Sequence, residues 1–447
     1  MTHNGHIPVA PFRLLTRTAP GMPEIADLPA EIHRALNQLG LSPGRLTGRR
    51  IAVTAGSRGI AGLKDIVRAS CQWLRERGAQ PFVIPAMGSH GGATAEGQRH
   101  ILEEYGVLPD YVGAEIRSSM DAVCLGETAA GVRVFMDRLA WESDGVLVMN
   151  RIKPHTSFSG KIESGRLKMI AVGLGKRAGA EEVHLYARKF GYEETIRAVC
   201  GMAFGSGKIL AGLGVVENEF HQLAVVEAAR PEEMPAQEEA LTQTARRLVP
   251  RLPFSSAQLL IVDELGKNIS GTGMDTKVIG RGVPLVAGEA PEIEVIYVRD
   301  ITEESGGNAV GMGYADIIHE KLYRKIELKR TYINARTAFN IDGARLPMFV
   351  PSDRDALDIA LGNLGSPEPQ KQRLAWVRNT LDLGRVALSP SLAAEAANLP
   401  GWSLSPEAFE PEFDAEENLV PSGEQAAARA FESRRFGARS SGQKLKD

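Results

Sequence analysis

Arg50-Ile51-Ala52-Val53-Thr54, running straight into Ala55-Gly56-Ser57-Arg58-Gly59-Ile60, reads as a short apolar strand that ends in a glycine-rich turn. A helical stretch from about Leu63 to Gly78 follows, with Ile66, Val67, Cys71 and Leu74 on one face. Gln80 to Ile84 is the next strand. Thr94 is placed to cap a helix that runs to about Tyr105. Gly145-Val146-Leu147-Val148-Met149 is apolar throughout, as expected of a strand buried on both faces. Strands alternating with helices predict an α/β fold with a Rossmann-like, mostly parallel sheet covered on both sides.

At 447 residues the chain exceeds one ordinary core, so two domains are expected. A polar helix from about Pro235 to Leu248 ends in Pro250-Arg251-Leu252-Pro253, which marks the boundary. The predicted organisation is an N-terminal domain over 1–253, a smaller C-terminal α/β domain over 254–421, and a polar tail over 422–447 rich in Ser, Gly, Ala, Arg and Lys. In the second domain, Gln258 to Leu265 and Glu292 to Val298 read as strands, and Ala315 to Glu327 as a helix. A site in the cleft between the two domains is the natural expectation for this arrangement.

Composition narrows the function. Hydrophobic residues make up 43% and charged residues 24%, as in ordinary globular proteins. Lys and Arg number 52 against 55 Asp and Glu, a net charge of −3, which gives no electrostatic footprint for nucleic acid or an anionic membrane. There is no run of about eighteen apolar residues to span a membrane, and Met1 to Leu15 lacks the pattern of a signal peptide. The three cysteines, Cys71, Cys124 and Cys200, are far apart and form no CxxC pair, so a reducing cytoplasm is expected.

The residues able to carry chemistry sit where strands give way to loops. Gly56-Ser57-Arg58-Gly59 opens a helix and can cradle an anion through its N–H groups, with Arg58 as a bidentate clamp. A tight turn with a solvated arginine explains the same residues. His90 lies in Met87-Gly88-Ser89-His90-Gly91-Gly92, where flanking glycines leave the imidazole open for acid–base work, or for a plain turn bonded to backbone. His155 follows Lys153-Pro154 and is open to the same two readings. Between Gly160 and Lys176 come Lys161, Glu163, Arg166 and Lys168, a basic and glycine-rich connection suited to a phosphorylated cofactor, with one lysine attached covalently or acting as a base; the bland reading is a mobile surface loop. His184 follows Lys168 on an amphipathic helix, with Glu181 near enough in sequence to share its face. A metal there takes most of its ligands from elsewhere or from a cofactor. Past the boundary, Gly266-Lys267-Asn268-Ile269-Ser270-Gly271 is a second polar loop at a strand end.

The order Arg58, His90, His155, Lys168, His184 resembles the nickel-pincer-nucleotide lactate racemase family, most specifically in Pro154-His155 with Phe158-Ser159-Gly160 and in Ser164-Gly165-Arg166-Leu167-Lys168. The resemblance covers roughly Ile51 to Val225. It implies a nickel-bearing pyridinium nucleotide, supplied by cofactor-biosynthesis enzymes and tethered to Lys168, with His184 as nickel ligand. It further implies His90 and His155 as paired acid–base groups, and Arg58 with Ser57 and Gly59 at the nucleotide phosphate. The activity it implies is racemisation or epimerisation of a 2-hydroxy acid, for which Ser270, Lys267 or Lys277 is expected to stand in where the second domain departs from the family's substrate contacts. Two departures stand out: Ala55 replaces the aspartate that usually opens the arginine turn, and the step from His155 to Lys168 is longer than usual. The second-domain loop lacks a glutamine paired with a lysine for a lactate carboxylate, so a larger substrate is expected, such as a sugar acid, an aryl hydroxy acid or a dicarboxylate. Self-association into a homo-oligomer is compatible with the sequence. The competing readings are a non-catalytic binder of a phosphorylated ligand and a metal-dependent hydrolase using His184.

Overall fold

The structure, a computed structural model, describes residues 5–18, 21–57, 59–283, 290–337 and 340–420. Arg58 and the tail 422–447 lie outside the described residues. The chain divides into two compact units: Met22–Val249 is one, and the described residues of Met1–Gly21 and Pro250–Asp447 form the other. Strand β1 (Phe12–Arg17) therefore departs from the sequence-based domain 1–253. It pairs antiparallel with two strands of the second unit rather than with the strands that follow it.

In the first unit, β2 (Arg50–Ala55), β3 (Gln80–Pro85) and β4 (Glu115–Ile116) are followed by a separate ribbon of β5 (Ala122–Glu127) and β6 (Arg133–Asp137). Then come β7 (Gly145–Arg151), β8 (Ile209–Glu217) and β9 (Leu223–Ala229), giving a six-stranded sheet in the order β4-β3-β2-β7-β8-β9. All neighbours are parallel except the edge pair β8–β9. Because side chains alternate along a strand, the apolar runs supply two cores. Ile51, Val53, Val83, Leu147 and Met149 face one, with the helices Leu28–Asn37 and Leu63–Glu76. Ala52, Phe82, Ile84, Val146 and Val148 face the other, with the segment Arg166–Gly173 and the helices Lys176–Phe190 and Tyr192–Gly205. This is the mostly parallel, doubly covered sheet expected from the alternating sequence. Thr94 caps the helix Ala95–Glu104 by accepting from Gly97 N at 3.0 Å, again as expected.

The order of strands has a consequence for binding. From β2 the chain crosses to β3 on one side, and from β7 it crosses to β8 on the other. The carboxyl ends of β2 and β7 therefore flank a point where connections diverge, and crevices of this kind are where open α/β sheets bind ligands.

The second unit adds β10 (Ser256–Leu265), β11 (Glu292–Ile301), β12 (Ile317–His319), β13 (Met348–Val350), β14 (Leu374–Val377), β15 (Arg385–Leu388) and β16 (Trp402–Phe409). With β1 they form an eight-stranded sheet in the order β13-β12-β11-β10-β14-β15-β1-β16. The helix expected over Ala315 to Glu327 is instead β12 followed by a short helix, Glu320–Arg324. Ile317 and Ile318 lie alongside Tyr297 and Val298 of β11 in parallel register. A buried apolar run this short carries no periodicity that separates strand from helix, and tertiary pairing decides it. Among the described residues no helix is long and apolar enough to cross a membrane.

Candidate active site

Three loops leave the carboxyl ends of the neighbouring strands β3, β2 and β7, and each carries candidate residues. After β2, Ser57 turns its hydroxyl to His90 Nδ1 in a short hydrogen bond. Gly59 packs against the ring of Tyr105, whose hydroxyl donates to Ser57 O at 3.2 Å. After β3, Gly88, Gly91 and Gly92 have φ of 58°, 64° and 65°, the left-handed region where a side chain is disfavoured. At Gly91 a Cβ would also fall 2.7 Å from the backbone of Gly97, so this turn needs glycine.

After β7 the chain makes a closed loop. Lys153 and Ser164 bond to each other through their backbones at 2.9 and 3.2 Å, closing the stretch that holds His155 and Phe158. Buried Glu163 organises it, accepting from His155 N and Gly160 N and pairing with Arg246. Ser157 N donates to His155 Nδ1 at 3.0 Å, which turns Nε2 toward Lys168, and the two are hydrogen-bonded. Lys168 is fixed by the short turn Arg166–Lys168. There Glu238 accepts from Arg166 N and Leu167 N at 2.9 and 3.1 Å and pairs with the Arg166 guanidinium, both side chains fully buried.

An aromatic stack joins His155 to His184. Phe158 lies between the rings of His155 (4.4 Å) and Tyr192 (4.5 Å). Tyr192 meets His184 edge-on, its hydroxyl 3.3 Å from His184 Nδ1. Burial drives the His184 pKa down to about 4, and the nearby charge of Lys168 adds to the effect. His184 is thus a neutral imidazole at physiological pH, with Nδ1 engaged by Tyr192. Burial pushes the Tyr192 phenol up, so it stays protonated.

The structure therefore brings Lys168, His155 and His184 into one cluster and Ser57 with His90 into another, on adjacent loops. Part of the basic connection Gly160–Lys176 proves to be packing rather than a mobile loop, because Arg166 and Lys176 are wholly buried in ion pairs with Glu238 and Asp137. Glu181 does not join His184; it pairs with Arg177 on the exposed side of the helix, while Glu182 pairs with Arg133. Among the described residues no three His, Cys, Asp or Glu gather into a metal site, so an ion at His184 needs ligands from a bound group. In the second unit, Lys267 and Ser270 lie in the loop after β10. Lys267 Nζ donates to Gly271 O and to Asn334 Oδ1 (2.8 Å), and Ser270 Oγ meets Thr272 Oγ1 at 3.0 Å. Tyr192 and Glu238 carry no signal in a single sequence; only the fold shows what they hold.

The first unit is thus an α/β domain in which His90 and His155 follow strand ends while Lys168 and His184 lie on helical segments. Residues 27–191 match the family model of the lactate racemase N-terminal domain. The matched segment contains every candidate of the first unit from Ser57 to His184. Among solved structures, the lactate racemase apoprotein from Thermoanaerobacterium thermosaccharolyticum is similar, with a TM-score of 0.46 and 15% identity over 75% of this chain and 83% of that one. No curated protein matches the chain.

Proposed function

We propose that the protein is a racemase or epimerase of a 2-hydroxy acid that works with a nickel-pincer nucleotide. The observation that carries this reading is the convergence of the Lys168 amine with His155 and neutral His184 at the carboxyl end of β7. The donor set suits such a group: Lys168 would tether it, and His184 would ligate nickel through Nε2, a role for which a neutral imidazole with its other nitrogen hydrogen-bonded is well prepared. Ser57 and Gly59 would lie at its phosphate beside Arg58. When bound, that group supplies a reversible acceptor for the hydrogen on the substrate's hydroxyl-bearing carbon.

The protein's own part is placement and proton transfer. In His90 and in His155 a local partner engages Nδ1, Ser57 Oγ in the first and Ser157 N in the second, which orients the ring proposed to exchange a proton with substrate. One imidazole takes the hydroxyl proton as the carbon loses its hydrogen, giving a planar keto acid. The hydrogen returns to the other face, and the oxygen recovers a proton from the imidazole on that side. Tethering Lys168 would take up the amine that hydrogen-bonds His155 Nε2. In the second unit, Lys267 and Ser270 are the side chains proposed to meet the carboxylate. The three cysteines are free thiols, which suits a cytoplasmic location. The test is a chiral screen of 2-hydroxy acids, including aryl, sugar-acid and dicarboxylate examples, using protein expressed with the cofactor-making enzymes. Conversion of one hand to the other supports the reading. Affinity for a phosphorylated ligand without turnover of any hydroxy acid would replace it with a binding function.

A further inference from the structure

Lys176 occupies an expensive position. It is fully buried, and its φ of 53° lies in the left-handed region that non-glycine residues avoid. Its ammonium donates to Pro85 O at 2.6 Å and to Gln98 Oε1 at 3.1 Å, and pairs with Asp137 at 2.8 Å. Gln98 is equally buried, and its Nε2 donates to Gly88 O at 2.9 Å and His90 O at 3.3 Å. Asp137 is itself fixed, accepting from Leu139 N at 2.7 Å and donating its own N–H to Leu174 O at 2.7 Å. A continuous polar chain thus runs from the end of β6, through the first residue of the helix that carries His184, to the two carbonyls that bracket the His90 turn. Satisfying these carbonyls needs only a small polar partner. A buried cation held in a disfavoured backbone conformation, bonded to the end of β3 and to the glutamine that holds the His90 turn, points beyond packing.

We infer that Lys176 and Gln98 are positioning residues for His90, setting where its imidazole stands relative to the cluster at Lys168 and His184. The inference rests on the racemase reading for its catalytic meaning, but the positioning itself is measurable without turnover. The most selective variant is Gln98→Glu. It keeps the acceptor for Lys176 but removes the donor, and sets a carboxylate against the Gly88 and His90 carbonyls. Lys176→Met is the companion change, and because it risks unfolding, Gln98→Glu decides the matter. The full-length protein is labelled with nitrogen-15 in histidine, its His90 ring signals are assigned with a His90→Gln variant, and the spectra are compared.

The expected result for Gln98→Glu is displaced or broadened His90 signals with those of His155 and His184 in place. In cofactor-loaded protein, bound nickel should be unchanged and kcat should fall about 100-fold with KM little altered, as for a displaced catalytic group. His90 signals that stay where they are, or that move only together with every other histidine, overturn the inference. Displaced His90 signals in a protein whose wild type turns over no 2-hydroxy acid would leave the positioning standing and refute the racemase reading instead.

Discussion

Lys168 Nζ and His155 Nε2 are hydrogen-bonded to each other, so the amine proposed as the tether occupies the nitrogen proposed as the acid–base group. On the proposed roles, covalent attachment of the amine would alter the surroundings of the imidazole. In Lys168→Ala, nickel measured in protein expressed with the cofactor-making enzymes should drop to background while the fold persists. Retention of nickel near the wild-type level would remove Lys168 from the tethering role.

Tyr192 gives a second test. Tyr192→Phe keeps the stack on Phe158 and removes only the hydroxyl that faces His184 Nδ1 at 3.3 Å. Loss of such an outer partner is expected to weaken metal binding about 10–100-fold. Nickel retained during dialysis against a graded chelator would show it, with unfolding temperature little changed.

Ser57 separates two roles. If its hydroxyl orients His90, Ser57→Ala lowers kcat by about tenfold and leaves nickel content alone. Loss of bound cofactor without a change in kcat per nickel would mark Ser57 as a phosphate contact only.

The pair Arg166–Glu238 should matter for folding rather than for chemistry. Both side chains are fully buried, and burial acts against the charge on each, pulling the guanidinium down and the carboxyl up. Arg166→Met strands the carboxylate that caps the Lys168 turn and is expected to cost about 3–5 kcal/mol in denaturant unfolding. Replacing both partners with apolar residues of similar volume should recover much of that loss.

In the second unit, burial pushes the Asp353 carboxyl up, but hydrogen bonds and charge from Arg299, with further hydrogen bonds from Tyr297 and Leu419 N, hold it below the usual range. A depressed folded pKa means stability that is present above the unfolded value of about 3.9 and lost as pH falls through the folded one. Acid unfolding below about pH 4 should therefore be less steep in Asp353→Asn, though from a lower starting stability.

How much of this was legible in the sequence follows from how local each signal is. The apolar runs at Ile51, Phe82 and Val146 and the turn glycines at Gly88, Gly91 and Gly92 declare strands and strand ends within a few residues, and the parallel sheet follows from their alternation. His90 and His155 could be named because they follow those ends, and Lys168 and His184 by their order after them. Their partners could not: Glu238 reaches Arg166, and Gln98 reaches Lys176, across long separations that composition does not encode. For the same reason the basic stretch from Gly160 to Lys176 reads as a cofactor-binding or surface loop, whereas Arg166 and Lys176 are each neutralised inside the core. Ile317 and Ile318 were misread as helical because two residues buried beside β11 leave no period to detect.

On the proposed mechanism, carbon-bound hydrogen leaves and returns without exchanging with water, while His90 and His155 handle only the hydroxyl proton. The direct measurement incubates a single enantiomer of a turned-over 2-hydroxy acid with cofactor-loaded protein in heavy water and reads both hand and isotope at the reacting carbon. The account predicts the opposite enantiomer with its original hydrogen retained. Deuterium at that carbon would show proton abstraction from carbon and contradict it.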